Sequence, residues 1–152
     1  MVAHKLGAAA APCRTEDTPL YGARFERFGG LVREVCAALG AGGGGPVGEH
    51  LAHNHGSAYA GVLRVADEVP RGRDPIAGTD TLRGEVVHAV REEMALTLAD
   101  CVLRRTDLGT GGSPGDAALA ETAELMAAEL GWTAERRMRE LAEVRARYPG
   151  WR

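Results

Sequence analysis

TLRGEVVHAVREEMALTLADCVLRRTDL, residues 81–108, is the stretch on which the fold turns. Leu82, Val86, Ala89, Val90, Met94 and Thr97 recur at spacings of three and four, so one face of a helix is apolar while Arg83, Arg91 and Glu92 lie on other faces. Thr97 is also placed to open a second turn, because Asp100 stands where a capping-box carboxylate belongs. The spacing therefore predicts a long helix with a bend or break before Cys101, Val102 and Arg105.

The same periodicity extends on both sides. Phe25, Phe28, Val32, Val35 and Leu39 predict a helix within residues 22–39, with Leu31 and Cys36 beside its apolar face. The run GAGGGG at 40–45 ends it, and Pro46 opens a short helix, VGEHLAHN, which Gly56 stops. Ser57 is the expected cap of a third helix carrying Val62, Leu63 and Ala66, ending near Val69 because Pro70 follows. Beyond PRGRDPIAGT, read as a surface loop or a ledge across the domain, comes the central helix. Ser113, Pro114 and Asp116 have the spacing of a helix start, for a stripe of Leu119, Ala123, Met126 and Leu130 closed by Gly131. Thr133 caps the last helix, with Met138, Leu141, Val144 or Arg145, and Tyr148 along one side. The expected fold is all-α, a single compact orthogonal bundle of six or seven helices at 21–148, preceded by an irregular tail or linker at 1–20 broken by Pro12 and Pro19.

Composition narrows the function. The 152 residues are 45% hydrophobic, enough for one core. A net charge of -3, from 18 basic and 21 acidic side chains, supplies no field to gather nucleic acid. Arg136, Arg137, Arg139, Arg145 and Arg147 are interrupted by Glu135, Glu140 and Glu143, which reads as a salt-bridged solvent face. No apolar run reaches the roughly 20 residues needed to cross a bilayer, so no direct membrane insertion is expected. Three cysteines without CxxC spacing suggest neither a disulfide scaffold nor a zinc finger, and fit a reducing cytoplasm.

Chemistry-bearing motifs are sparse. The glycine run at 40–45 follows no β-run and precedes no P-loop lysine, so it is read as a connection, not a phosphate cradle. His50, His53 and His55 crowd one segment, and His50 with His53 would need His88 or a carboxylate such as Glu49 to hold a transition metal. The segment is EHLAH and not HExxH, so packed or surface histidines are the plainer reading, and no catalytic, cofactor-binding or metal residue is assigned. Arg83, Glu85, Arg91 and Glu93 are read as structural ion pairs. Arg104 and Arg105, with Asp107 beside them, are the candidate interface.

Glu85, Ala89, Arg91, Glu93, Ala95, Thr97, Leu98, Asp100, Leu103, Arg104, Arg105 and Thr106 give residues 85–108 a pattern that resembles the C-terminal domain of FAD-dependent, respiratory-type glycerol-3-phosphate dehydrogenases. CRTEDTPLYGA from Cys13, HLAHNHGSAYAGVL from His50 and AAELGWTAERRMRELAEV from Ala127 extend the resemblance in the right order over about residues 12–147. His55 and His88 stand where the family pattern carries tyrosine, and Asp107 where it carries arginine. The resemblance implies an accessory helical domain packed on a flavoprotein body that oxidises sn-glycerol 3-phosphate to dihydroxyacetone phosphate and passes electrons to quinone. It implies FAD in the parent enzyme and none in this chain, with the flavin-binding domain as partner and self-association as a second contact. The implied location is cytoplasmic, at the membrane surface through the parent. A stand-alone helical interaction module without catalysis is the alternative reading, and a small histidine-metal enzyme the next.

Overall fold

Prolines and glycines punctuate the helices: Pro46 opens one of them, and Gly40, Gly56 and Gly131 each follow a helix end. A computed structural model describes residues 13–40 and 44–148. Among them are six helices of nine residues or more and one shorter one: α1 Phe28–Leu39, α2 Pro46–His55, α3 Tyr59–Asp67, α4 Arg83–Glu93, α5 Leu98–Asp100, α6 Asp116–Leu130 and α7 Ala134–Ala146. A π-helical turn, Cys101–Arg105, continues α5. No strand is present among the described residues; a single antiparallel bridge joins Pro75 to Leu82. The all-α bundle expected from the periodicity is the fold observed.

The helices pack as successive pairs, α1 on α2, α3 on α4, α4 on α6 and α6 on α7, with α5 lodged against α7. Two apolar clusters result. Leu31, Val35, Leu39, Leu51, Val62, Leu63 and Leu82 fill the first. Ile76, Val86, Ala89, Leu98, Val102, Leu119, Met126 and Val144 belong to the second. Helix α4 and the residue before it form the wall between them, since Leu82 joins one cluster and Val86 and Ala89 the other. Close approach of α3 and α4 is secured by Gly84, where a Cβ would lie 2.4 Å from the Ala66 Cβ.

Several local expectations need correction. The first helix starts at Phe28, so Phe25 is partly exposed in the irregular lead, and Leu31 is buried at the centre of the apolar face instead of beside it. Ser57 does not cap α3: it sits in a 3-10 turn, its NH donates to the Gly22 carbonyl and its hydroxyl accepts from the Arg24 NH. Ser113 likewise precedes a helix that begins at Asp116, because Gly115 at φ 88° holds the chain out of helical geometry. Met94 is not on the core face. It adopts left-handed geometry at φ 58°, ends α4, and is 75% exposed. Met138 is also exposed, leaving Leu141, Val144 and Tyr148 to face inward. Residues 1–12, most of the expected tail, and the middle of the glycine run lie outside the described residues.

The other signals are realised. Thr97 accepts a hydrogen bond from the Asp100 NH, and Asp100 accepts one from the Thr97 NH, each at 3.1 Å. Gly131 closes α6 at φ 65°, and the Thr133 hydroxyl accepts from the Arg136 NH at 3.2 Å.

Candidate functional site

The polar centre of the bundle forms around one carboxylate. Glu85 enters from the first turn of α4 and is 2% exposed. Its Oε2 accepts from the Leu82 NH at 2.6 Å, satisfying a donor the helix start leaves free. Its Oε1 lies 3.0 Å from His55 Nε2 and 3.4 Å from His50 Nε2. Both histidines come from α2, five residues apart, and both rings meet the Glu85 carboxylate. On the far side of His50, Nδ1 faces Asp107 Oδ2 at 3.5 Å, while the Thr81 hydroxyl stands 3.4 Å from Nε2.

Burial alone would raise the Glu85 pKa, yet the hydrogen bonds and charges of His50 and His55 hold it at about 2. Burial works against charge on His50 too, but the carboxylates of Glu85, Asp107 and Asp80 raise its pKa above the usual histidine value. The cluster is therefore a carboxylate kept ionised in the interior by imidazoles that surround it.

A second group adjoins the first. The rings of His55 and His88 meet edge to face at 5.7 Å, and His55, His88 and Glu93 present ligand atoms that all lie within 4.8 Å of one another. His88 Nδ1 is 3.8 Å from Glu93 Oε1, beyond hydrogen-bond reach, and has no partner although it is buried. Burial lowers the His88 pKa, which favours the neutral ring. A cavity of about 550 Å³ opens beside His88 and Glu93, edged by Tyr21, Met94 and Arg105.

Most of the charged residues singled out in the sequence find their partners on other elements of the chain. Arg83 meets Glu121 on α6. Arg91 reaches Glu129 on α6 and Glu68 after α3, each at 2.7 Å. Glu93 faces His88, and Glu85 the α2 histidines. Arg104 pairs with Asp100 at 2.5 Å and is mostly exposed, Arg105 is exposed at the cavity edge, and Asp107 turns away to His50. His53 points outward near Glu49 and the Phe28 ring, so His50 and His53 do not converge. The grouping that does form, His55 with His88 and Glu93, joins residues 33 and 38 positions apart in sequence order, which spacing within one helix does not reveal.

The described residues thus form an all-α domain with a buried histidine and carboxylate centre and a charged, partly apolar rim. Residues 13–137 match the family model described as the C-terminal domain of alpha-glycerophosphate oxidase, and the chain belongs to that family. It is similar to "Glycerol-3-phosphate dehydrogenase" of Mycobacterium leprae, 34% identical over 143 residues, covering 92% of this chain and 24% of the relative. "Glycerol-3-phosphate dehydrogenase 1" of Mycobacterium tuberculosis is 37% identical over 101 residues, 66% of this chain and 17% of that one. "Probable glycerol-3-phosphate dehydrogenase, mitochondrial" of Dictyostelium discoideum is 32% identical over 96 residues, 62% of this chain and 15% of the relative. The chain thus spans about a quarter or less of the length of these relatives.

Proposed function

We propose that this chain acts as the accessory C-terminal domain of an FAD-dependent glycerol-3-phosphate dehydrogenase-like protein, packing against and stabilising the flavoprotein body. The observation that carries the reading is the family match over residues 13–137 together with relatives of which the chain spans 24% or less. In the complete enzyme, glycerol 3-phosphate would be oxidised to dihydroxyacetone phosphate at a flavin held elsewhere. The described residues of this chain do not fit FAD: they include no strand leading into a glycine turn at a helix start, the arrangement that cradles a pyrophosphate. No step of flavin chemistry is therefore routed through them.

The docking face proposed for the flavoprotein body runs from Tyr21 and Met94 to Arg105, with Arg104 beside it. Tyr21 and Met94 are 85% and 75% exposed, and with Arg105 they edge one cavity, giving apolar contact next to a guanidinium that meets no carboxylate among the described residues. No helix among the described residues is long and apolar enough to cross a membrane. A position in the cytoplasm, reaching the membrane surface through the parent, belongs to this proposal.

An antibody raised to the chain, used on extracts of the source cells, tests it. The expected species is several-fold heavier than 16.0 kDa and carries flavin. A flavin-free species near 16.0 kDa would refute the reading and leave a stand-alone helical interaction module.

A further inference from the structure

We infer that His55, His88 and Glu93 form a binding site for one divalent transition-metal ion, with Zn²⁺ the ion their donor set suits best. All three residues belong to this chain, and the cavity beside them is the one that Tyr21, Met94 and Arg105 edge, so the inference is tested on the chain alone, with no flavoprotein body docked over that cavity.

Two imidazoles and a carboxylate are the mixed nitrogen and oxygen set that zinc takes, with a fourth position left for water. The separations agree with that use. Two ligands at about 2.0–2.1 Å from a tetrahedral ion stand roughly 3.4 Å apart, and His88 Nδ1 and Glu93 Oε1 are 3.8 Å apart. That distance is too long for a hydrogen bond and short enough for a shared ion. The remaining ligand atoms lie within 4.8 Å, so closure requires a movement on the order of 1 Å. Glu93 can make most of it, because it is the last residue of α4 and its side chain is part exposed.

Independent support comes from the orphaned nitrogen. His88 is 5% exposed, and its Nδ1 is buried with no hydrogen-bond partner among the described residues. A buried polar atom without a partner is a standing cost to the fold, and a metal ion removes it by accepting the lone pair. The neighbouring ring is braced as well. Glu85 is hydrogen-bonded to His55 at 3.0 Å, the carboxylate contact that fixes imidazole orientation around protein-bound metals. The cavity beside His88 and Glu93 supplies an entry path and room for the water at the fourth position.

The test is a calorimetric titration of the metal-stripped chain with ZnCl₂ near neutral pH, repeated with CoCl₂ and followed by absorption. The expected results are one equivalent bound per chain, an affinity weakened roughly tenfold or more in Glu93→Gln and His88→Asn, and no change in His53→Ala. The cobalt spectrum should be that of a tetrahedral nitrogen and oxygen site. Absence of stoichiometric binding would overturn the inference, as would undiminished binding in Glu93→Gln or a thiolate charge-transfer band assigning the ion to cysteine. Should His88→Asn fail to fold by circular dichroism, Glu93→Gln alone decides, because its side chain lies at a helix end outside both cores.

Discussion

Replacing Glu85 by glutamine isolates the energetics of the buried centre. The substitution preserves shape and keeps an oxygen to accept the Leu82 NH, but removes the charge that His50 and His55 surround. Glu85 has its pKa lowered from 4.5 to about 2, and at about 1.4 kcal/mol for each tenfold change in proton affinity the ionised carboxylate contributes roughly 3 kcal/mol. The sign follows from the direction. A depressed carboxylate pKa gives stability that is fully present above 4.5 and is lost as pH falls toward 2. His50 is shifted upward, so its contribution is fully present below 6.5 and is lost as pH rises through its folded-state value. Together they make the centre most stabilising between about 4.5 and 6.5. Urea unfolding of both proteins, followed by tryptophan fluorescence from about pH 6 to about pH 3, measures the difference. Glu85→Gln should be about 3 kcal/mol less stable at the upper end, with the gap narrowing below pH 4.5. A difference under about 1 kcal/mol, or one that stays constant across the range, would refute the assignment of Glu85 as an ionised interior group.

Other consequences of the packing are measurable by the same means. Gly84→Ala places a methyl 2.4 Å from the Ala66 Cβ, and should lower stability by about 1–3 kcal/mol; an unchanged urea midpoint would mean that α3 and α4 are not so close. Met94→Gly relieves left-handed geometry at φ 58° without emptying the core, and should raise stability by about 1 kcal/mol, read as a higher Tm. Burial pushes the Cys101 thiol up to about 12, so a thiol reagent should label exposed Cys13 in the folded chain and reach Cys101 only on unfolding. Rapid labelling of Cys101 under native conditions would contradict its place in the core.

The helices were legible because their apolar residues repeat at three and four, and because Thr97, Gly131 and Thr133 act locally. Ser113 and Ser57 misled for a common reason. Each has the right residue type for a cap, but Gly115 and the docking of Gly56 against Gly22 decide the backbone there, and both depend on conformations a residue pattern does not display. Met94 kept the helical period on paper after the backbone had left the helix. The buried centre was half visible, since the histidines of α2 and His88 stood out. Their meeting joins residues thirty or more positions apart, which no local pattern displays. Glu85 was read as a structural ion-pair residue beside arginines, and the partners it finds are His50 and His55 instead.

Helix α4, the wall between the two apolar clusters, also sets how the chain comes apart. Neither half keeps its core without that wall, and Arg91 adds a brace from it to Glu129 and Glu68. Opening of α1 and α2 exposes only the first cluster, whereas release of α4 dissolves both. The amides of α4 should therefore be the slowest in the chain to exchange with deuterium, and those of α1 should exchange by a lower-energy opening that leaves α6 and α7 protected.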